Sequence, residues 1–253
     1  MTLVLGKNMH RVDPVPAWFR QPPQPAPGKL VVVLTGAGIS AESGLSTFRD
    51  SGGLWEKYSI YEVATPEAWE RSPQLVLDFY NARRSQLAEV SPNPAHLALK
   101  DLEAYYTVMV ITQNVDDLHE RAGSTYVLHL HGELTKARST KNENLIYAIG
   151  YQPIRLGDTC EMGSQLRPHV VWFGEPVPFY PIAEAWARRA DILIVVGTSL
   201  QVYPAAGLLE EATHARQKFL IDPKPTLSRR RDVEVIAAPA SAGLQKVLEK
   251  LIP

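Results

Sequence analysis

Four groups of small and polar residues in this sequence could carry chemistry. Each follows an apolar run, and they are Gly36-Ala37-Gly38, Gln113-Asn114-Val115-Asp116, His131-Gly132 and Gly197-Thr198-Ser199. Closely spaced glycines let the backbone turn sharply and approach an anion such as a pyrophosphate. Amide, carboxylate and imidazole groups can bind polar ligands and move protons. Each group alone is also typical of an ordinary structural turn, but four of them in one chain indicate a ligand site.

The apolar runs before these groups predict the elements that position them. Leu30–Leu34 and Ile192–Val196 lack polar alternation, which is typical of strands buried on both faces of a parallel sheet. Helical stretches such as Pro73–Leu87 separate the strands, so the sequence predicts an α/β fold with a doubly wound parallel sheet. Open sheets of this kind bind their ligands at the carboxyl ends of the strands.

The composition limits the class of protein. The chain has 253 residues, 45% of them hydrophobic and 21% charged, with a net charge of −1. That length suits one domain with a large core, or one domain that carries a smaller insert. The charge gives no general attraction to nucleic acid or membrane, and no apolar run is long enough to span a bilayer. We expect a cytoplasmic protein, with an organellar location and the oligomeric state left open.

The chain divides into an extension and a main domain. Residues 1–29 are rich in proline, which predicts an extended and loosely attached segment that Trp18 and Phe19 could pin to the body. We expect residues 30–253 to form the main domain, with an insertion at about 135–166. This insertion has weak periodicity and several glycines, so we expect it to be irregular and outside the main sheet.

Six motifs in this chain resemble those of the sirtuins, the NAD-dependent protein-lysine deacylases. In order they are GAGIS, STFRD, TQNVDDLH, LHGE, RPHVVWFGE and GTSLQVYP, within about residues 30–243. The resemblance implies a Rossmann-type NAD-binding core and a smaller second domain made of insertions at about 45–90 and 135–166. It also implies that NAD, as a co-substrate, meets the acyl-lysine of a protein or peptide between the two domains. The products would be nicotinamide, the free lysine and an O-acyl-ADP-ribose.

The same resemblance assigns expected roles to individual residues. His131 would be the general base, with Asn114 and Asp116 as the other catalytic residues, in the nicotinamide pocket. The residues expected to bind NAD are Gly36, Ala37, Gly38, Ala41, Phe48, Arg49, Trp55, Gln113, Asn114, Asp116, Gly197, Thr198, Ser199, Asp222 and Ala240. Those expected to bind the acyl-lysine chain or its peptide are Val171, Phe173, Gly174 and Val202.

Three further residues concern the acyl group. Tyr80 and Arg83 lie one helical turn apart, so a phenol and a guanidinium can converge on one carboxylate. Together with Ala64 they resemble the desuccinylase-type branch of the sirtuins, which removes succinyl, malonyl or glutaryl groups. We therefore expect hydrolysis of succinyl-lysine or malonyl-lysine, of acetyl-lysine, or of both kinds of substrate. Arg84 is expected on a solvated helix face.

The chain departs from the sirtuin pattern at two places. Most sirtuins hold a structural zinc with four cysteines, whereas this sequence has only Cys160 and carries Ser139 where the first ligand is expected. One thiolate cannot complete that site, so we expect no zinc. The residues expected to order the insert instead are Leu145, Ile146, Tyr147, Ile149 and Ile154. Asp222 replaces a usual asparagine and is either a ribose ligand or a surface residue.

Three other functions fit parts of the sequence. His129 and His131 could share a strand face and, with Asp116 or His119, ligate a metal in a hydrolase. A protein ADP-ribosyltransferase would use the same NAD site, because both reactions begin with loss of nicotinamide. A module that binds NAD or ADP-ribose without turnover would need no base, yet His131 is present.

Overall fold

The computed structural model describes residues 9–45, 58–225 and 230–252. In chain order the strands of these residues are β1 (His10–Val12), β2 (Leu30–Thr35), β3 (Thr107–Thr112), β4 (Val127–His129), β5 (Gly132–Ser139), β6 (Ile146–Ala148), β7 (Leu166–Val170), β8 (Ile192–Val196), β9 (Gln217–Ile221) and β10 (Glu234–Ile236). They form two separate sheets.

The helices connect and cover these sheets. In chain order they are α1 (Gly38–Ala41), α2 (Ile60–Val63), α3 (Pro66–Arg71), α4 (Pro73–Glu89), α5 (Pro94–Leu102), α6 (Leu118–Arg121), α7 (Tyr180–Arg189), α8 (Leu208–Glu211) and α9 (Ala240–Leu251). Two 3-10 turns cover Ala17–Arg20 and Ala205–Gly207. A proline in the first turn fixes the start of α3, α4, α5 and α7, where its missing N–H costs nothing. None of the described helices is long and apolar enough to cross a membrane.

The larger sheet is fully parallel and doubly wound. Its six strands lie in the order β10-β9-β8-β2-β3-β4. The chain runs outward from β2 to β3 and β4, and later outward from β8 to β9 and β10. The strand order therefore reverses between β2 and β8, and that switch point is where such sheets bind their ligands. The predicted Rossmann-type fold class is confirmed.

Both faces of the larger sheet are buried, which explains the continuous apolar runs. Every residue of β2 is buried. Val31 and Val33 pack with α5 and α9 on one face, and Val32 and Leu34 pack with α7 and α8 on the other. Gly243 is required in α9, because a Cβ there would lie 2.2 Å from Cγ2 of Ile221.

The smaller sheet is antiparallel, with the order β1-β6-β5-β7. The expectation that residues 135–166 are irregular is therefore wrong, since β5, β6 and the start of β7 lie there. The reason is that β5 alternates only partly between buried and half-buried residues, and a register shift interrupts its pairing with β7. In such a strand the sequence does not show the alternation of apolar and polar residues that would predict it.

An apolar cluster orders this insert. It contains four of the five expected residues, and its members are Leu77, Ala137, Leu145, Tyr147, Ile149, Ile154, Cys160 and Leu166. Ile146, the fifth, is buried outside this cluster. The Cys160 thiol donates to Ser139 Oγ over 3.4 Å. A single thiol bonded to a serine does not fit the four-ligand structural zinc site, so the described insert offers apolar packing in its place.

The proline-rich extension is attached to both sheets. Its strand β1 pairs with β6, and Trp18 packs edge-on against Tyr126 with ring centroids 6.0 Å apart. Trp18 Nε1 also donates to the Val127 carbonyl over 3.3 Å. The expected role of Trp18 as a pin is confirmed, whereas loose attachment is wrong for residues 9–29. The boundary at residue 30 stays a prediction.

Candidate active site

Two glycine turns meet at the switch point of the parallel sheet. The N–H of Gly36 donates to the Val196 carbonyl over 3.1 Å, and the N–H of Gly38 donates to the Gly197 carbonyl over 2.8 Å. A Cβ on Gly36 would lie 2.7 Å from Gly197 O, and one on Gly38 would lie 2.7 Å from Gly197 Cα. The turns after β2 and β8 can approach this closely only because glycine occupies both.

The loop after β3 folds back onto the first glycine turn. Asn114 Nδ2 donates to Gly36 O and to Ser40 Oγ, each over 3.1 Å. The Ser40 hydroxyl donates to Asp116 Oδ2 over 3.0 Å. Burial raises the pKa of Asp116, and the Ser40 and Leu118 hydrogen bonds oppose that shift. Ser40 was not among the predicted site residues, although a hydroxyl inside the GAGIS motif could have indicated it.

Gln113 connects three strand ends. Its side-chain Nε2 donates to Thr198 Oγ1 over 3.2 Å, and its carbonyl accepts a hydrogen bond from His131 Nδ1 over 3.0 Å. Leu200, just beyond this contact, has a φ of 55°, a left-handed conformation that is unusual for a leucine. Backbone strain of this kind is concentrated at functional sites.

The His131 imidazole has a defined tautomer. Because Nδ1 donates to the Gln113 carbonyl, Nε2 carries the lone pair. Burial lowers the pKa of His131, and the Gln113 hydrogen bond only partly opposes this. The ring is therefore neutral at pH 7 and can accept a proton at Nε2.

Gly132 fixes the backbone just after His131. Its φ is +78°, and a Cβ there would lie 2.1 Å from the His169 carbonyl oxygen. The His131 carbonyl accepts a hydrogen bond from Val171 N over 2.9 Å. The imidazole is thus held between the ends of the parallel sheet and the start of the smaller sheet.

A buried chain of hydroxyl groups lies behind the site. The Thr35 hydroxyl donates to Thr112 Oγ1 over 2.8 Å and accepts from His119 Nε2 over 3.0 Å. Thr112 Oγ1 also accepts from the backbone N–H of Asn114 over 3.0 Å. This chain joins the ends of β2 and β3 beneath the polar loop. Our sequence analysis missed it, and its only signal is a threonine at the end of each apolar strand.

His129 does not join His131. Its Nδ1 donates to the Asn114 carbonyl over 2.9 Å, and its Nε2 lies 2.8 Å from Glu120 Oε1. Burial alone would lower the pKa of His129, but the Glu120 carboxylate raises it to about 10. Glu120, His129 and Glu133 bring ligand atoms within 4.8 Å of one another. Since both ring nitrogens of His129 carry protons, this cluster is an ion-paired imidazolium and not a ready metal site.

The residues predicted to bind the acyl group also lie together. Ala64 and Tyr80 are buried in one cluster with Trp172, and the Ala64 carbonyl accepts from Phe173 N over 3.0 Å. Burial raises the pKa of Tyr80 to about 12, against the opposing charge of Arg83. Arg83 is half-buried, and its Cζ lies 5.9 Å from the Phe79 ring centroid.

A charged network holds the segment that contains Phe173. Glu175 accepts two hydrogen bonds from Arg167, at 2.7 and 3.1 Å, and two from Arg138, each at 3.0 Å. The guanidinium of Arg167 also covers the Trp172 ring, with Cζ 3.2 Å from its centroid. These ion pairs were not anticipated, because the partners are separated in sequence and only the fold brings them together.

The remaining predicted residues are dispersed. Val171 is half-buried, whereas Phe173 and Val202 are 43% and 39% exposed and Gly174 is exposed. Asp222 is buried at the end of β9, where Oδ1 accepts from Lys224 N over 2.7 Å. Ala240 lies buried at the start of α9, and Ala41 lies exposed at the end of α1. The predictions for Phe48, Arg49 and Trp55 lie outside the described residues.

A parallel doubly wound sheet with two glycine turns and polar side chains at its switch point is the architecture of a dinucleotide-binding α/β protein. Comparison with known proteins defines the class further. Residues 36–204 match the model of the Sir2 family. The chain belongs to the Sir2 family.

Named relatives and solved structures agree with this assignment. The NAD-dependent protein deacylase of Bacteroides thetaiotaomicron is 52% identical over 231 residues, covering 89% of this chain and 99% of that protein. The one from Helicobacter pylori strain J99 is 53% identical over 225 residues, covering 88% and 96%. A Sir2 homologue in complex with NAD is 39% identical with a TM-score of 0.79, covering 88% of this chain and 89% of that one. A Sir2 complex with a p53 peptide and NAD+ is 29% identical with a TM-score of 0.72, covering 87% and 92%.

Proposed function

We propose that this protein is an NAD-dependent protein-lysine deacylase that acts on acyl-lysine proteins or peptides. The observation that carries the proposal is the neutral His131, which donates to the Gln113 carbonyl at the carboxyl edge of the parallel sheet. Relatives that are 52% and 53% identical to this chain over the aligned residues are named NAD-dependent protein deacylases. The proposal assigns His131 as the general base, and Asn114 and Asp116 as the other catalytic residues.

The residues at the switch point suit NAD as a co-substrate. NAD supplies a nicotinamide leaving group and a ribose that takes the acyl group. The two glycine turns and Ala37 offer backbone to the pyrophosphate, and Gln113, Asn114 and Asp116 offer polar groups to the nicotinamide end. Thr198 and Ser199 would contact the ribose and phosphate. The same proposal assigns Ala41, Asp222 and Ala240 to NAD, Ala240 at the adenine.

His131 moves one proton in this proposal. With Nδ1–H held by the Gln113 carbonyl, Nε2 is free to take the proton of a ribose hydroxyl. A base whose pKa lies below 7 is unprotonated before the reaction, which is the state that the step requires. The acyl oxygen would first bond to the ribose as the ribose–nicotinamide bond breaks, and the deprotonated hydroxyl would then bond to the acyl carbon. Water would add as the bond from the acyl carbon to the lysine nitrogen breaks, which would release the free lysine and leave the acyl group on the ribose.

The acyl-lysine chain is assigned to the segment around Phe173. Phe173 and Val202 expose large apolar side chains, and such exposure at the mouth of a site is typical of a substrate groove. Val171 and Gly174 complete the proposed groove. The Arg167–Glu175 network would hold this segment rigid while substrates exchange.

Tyr80 and Arg83 are proposed to bind the carboxylate of an acidic acyl group, such as succinyl. Ala64 beside Tyr80 leaves room for the longer chain. A guanidinium in a partly dry pocket binds a carboxylate more strongly than it does in water. The protein would thus hydrolyse succinyl-lysine in addition to acetyl-lysine.

Arg83→Met tests the acyl assignment. It should raise KM for a succinyl-lysine peptide about tenfold or more, and change KM for the acetyl-lysine peptide about twofold or less. The matched control is Arg71→Met in α3, because Arg71 is exposed and its guanidinium donates to the Tyr61 carbonyl over 2.7 Å. An equal response of both peptides to Arg83→Met contradicts the carboxylate pocket and leaves the deacylase assignment intact.

Cosubstrate dependence tests the proposed function itself. Deacylation should require NAD, release one nicotinamide per lysine, and persist in EDTA. Activity without NAD that is lost on chelation would instead support the metal-dependent hydrolase.

A further inference from the structure

Arg84 is the largest fully buried side chain of the described residues, with a relative exposure of 0%. The expectation of a solvated arginine at this position is wrong. Its Nε donates to the Leu134 carbonyl over 2.6 Å, and its Nη1 donates to Asn81 Oδ1 over 2.7 Å. Nη2 is buried without a hydrogen-bond partner in the described part of the chain. Among the described residues no carboxylate pairs with this guanidinium, and burial alone shifts its pKa.

This arrangement places a charge where charges are costly. Burial lowers the pKa of Arg84 to about 10, so the guanidinium remains protonated at neutral pH. A buried cation held by neutral acceptors is poor for stability, and such groups are often retained for position or function.

The two acceptors of Arg84 lie in different parts of the site. Leu134 is the third residue after His131, and its N–H donates to the Val115 carbonyl over 2.7 Å. Asn81 exchanges two hydrogen bonds with the Ile154 main chain, at 2.8 and 2.9 Å. Arg84 therefore ties helix α4 to the strand that follows the base, and Asn81 ties the same turn of α4 to the insert.

The same turn of α4 carries the proposed carboxylate pair. Tyr80 and Arg84 are four residues apart, both fully buried, and thus lie on one helix face. Arg83 lies between them in the sequence. A helix is stiff over one turn, so the bond from Arg84 to Leu134 fixes how far Tyr80 and Arg83 stand from His131.

We propose that Arg84 is a positioning residue that sets the length of acyl chain that the site accepts. This inference rests on the proposed function, in which Tyr80 and Arg83 bind the far end of the acyl group and His131 acts at the near end. A shift of α4 changes the distance between these ends. It alters the match to acidic acyl groups that differ by one methylene, while acetyl-lysine makes no contact with the far end.

The test compares four acyl groups on one peptide: acetyl, malonyl, succinyl and glutaryl. Arg84→Lys keeps the charge but loses the fork that reaches Leu134 and Asn81 together. It should change the ratio of kcat/KM among the three acidic substrates about threefold or more, and change the acetyl value about twofold or less. Asn81→Ala removes one of the two Arg84 acceptors and both bonds to Ile154, but it leaves the bond from Arg84 to Leu134, so it should shift the ratios less than Arg84→Lys. Thermal melting shows that each variant is folded, and Arg71→Met is the matched control.

The outcomes are distinguishable. A uniform loss on all four substrates in Arg84→Lys overturns the inference, since a structural role alone produces it. Unchanged ratios in a folded Arg84→Lys overturn it as well. Wild-type protein that hydrolyses only acetyl-lysine overturns both the carboxylate pocket and this inference, but not the deacylase assignment. Wild-type protein that releases no nicotinamide with any peptide contradicts the proposed function itself.

Discussion

The carboxyl edge of the parallel sheet and the antiparallel sheet of the insert are stabilised differently. At the edge, buried polar groups such as Asn114, Ser40 and Asp116 bond one another within a few ångströms of a glycine turn. In the insert, apolar side chains around Leu145 and Ile154 pack together. Burying polar groups adds little stability but fixes geometry, whereas apolar burial stabilises without fixing reactive atoms. The first region is therefore organised for chemistry and the second for support.

Removing the base affects only the edge. His131→Ala should lower kcat about a hundredfold or more while NAD affinity and the melting temperature stay near wild type, because the neutral ring contributes a proton acceptor. Single-turnover rates and calorimetric titration with NAD measure the two effects. Near-normal turnover would refute the role of His131, and a large loss of NAD affinity would show that the ring acts in binding.

Removing apolar volume from the insert should lower the stability of its antiparallel sheet. Leu145→Ala should destabilise the protein by about 2–4 kcal/mol, because it leaves a cavity in the cluster around Leu145. Chemical denaturation with and without EDTA measures the change. The unfolding free energy of the wild type should be the same with and without the chelator. A wild type that loses stability on chelation contradicts our expectation that no zinc orders the insert.

The histidines near the edge predict how stability depends on pH. Burial lowers the pKa of His96 from 6.5 to about 4, so this group stabilises the fold above pH 6.5 and destabilises it as the pH falls toward 4, by roughly 3 kcal/mol at most. The pKa of His129 is raised to about 10, so its contribution is complete below pH 6.5 and is lost as the pH rises toward 10. Unfolding free energies should therefore peak near pH 6.5.

The variant His96→Asn tests how much of the loss of stability at low pH comes from His96. His96→Asn keeps an acceptor near the position of Nδ1, which bonds Asn93 N over 3.3 Å, and cannot titrate. Its stability should vary less than that of the wild type between pH 6.5 and 4. If the unfolding free energy of the variant fell as steeply as that of the wild type, groups other than His96 would dominate the loss of stability at low pH.

The smallest effect is expected at β1, the outer strand of the antiparallel sheet. Deletion of residues 1–12 removes β1 and the contact of Met9 with the apolar cluster. A three-residue edge strand contributes few hydrogen bonds, so we expect a loss of about 1–2 kcal/mol. Denaturant titration measures it, with kcat expected to stay within about twofold. A loss larger than that of Leu145→Ala would show that the extension, and not the core, orders the insert.

The two regions also differ in what their sequence reveals. The edge was predictable because each strand end carries its own signal: an apolar run followed by Gly36, Asn114 or Gly197 within a few residues. The insert was not, since β1 and β6 pair residues that are more than 130 positions apart, such as His10 with Ala148. Short strands of this kind have no clear alternation of their own.

The same reason explains the residues that were missed or misjudged. Arg84 has the spacing of the buried face of α4, which it shares with Leu77, Tyr80 and Leu87, but its charge indicated a solvated side chain. Its acceptor, the Leu134 carbonyl, comes from another strand and is visible only in the assembled fold. Glu175 meets Arg138 only because β5 pairs with β7. Local pattern predicts which side chains a helix or strand presents, whereas the contacts across elements depend on the assembled fold.

We propose that the carboxyl edge of the parallel sheet transfers an acyl group from lysine to the ribose of NAD. The most direct measurement is mass spectrometry of all products after incubation of the protein with NAD and an acyl-lysine peptide. The account predicts equal amounts of nicotinamide, free-lysine peptide and O-acyl-ADP-ribose. A peptide that keeps its acyl group and gains ADP-ribose, or a free carboxylic acid formed without NAD, would contradict it.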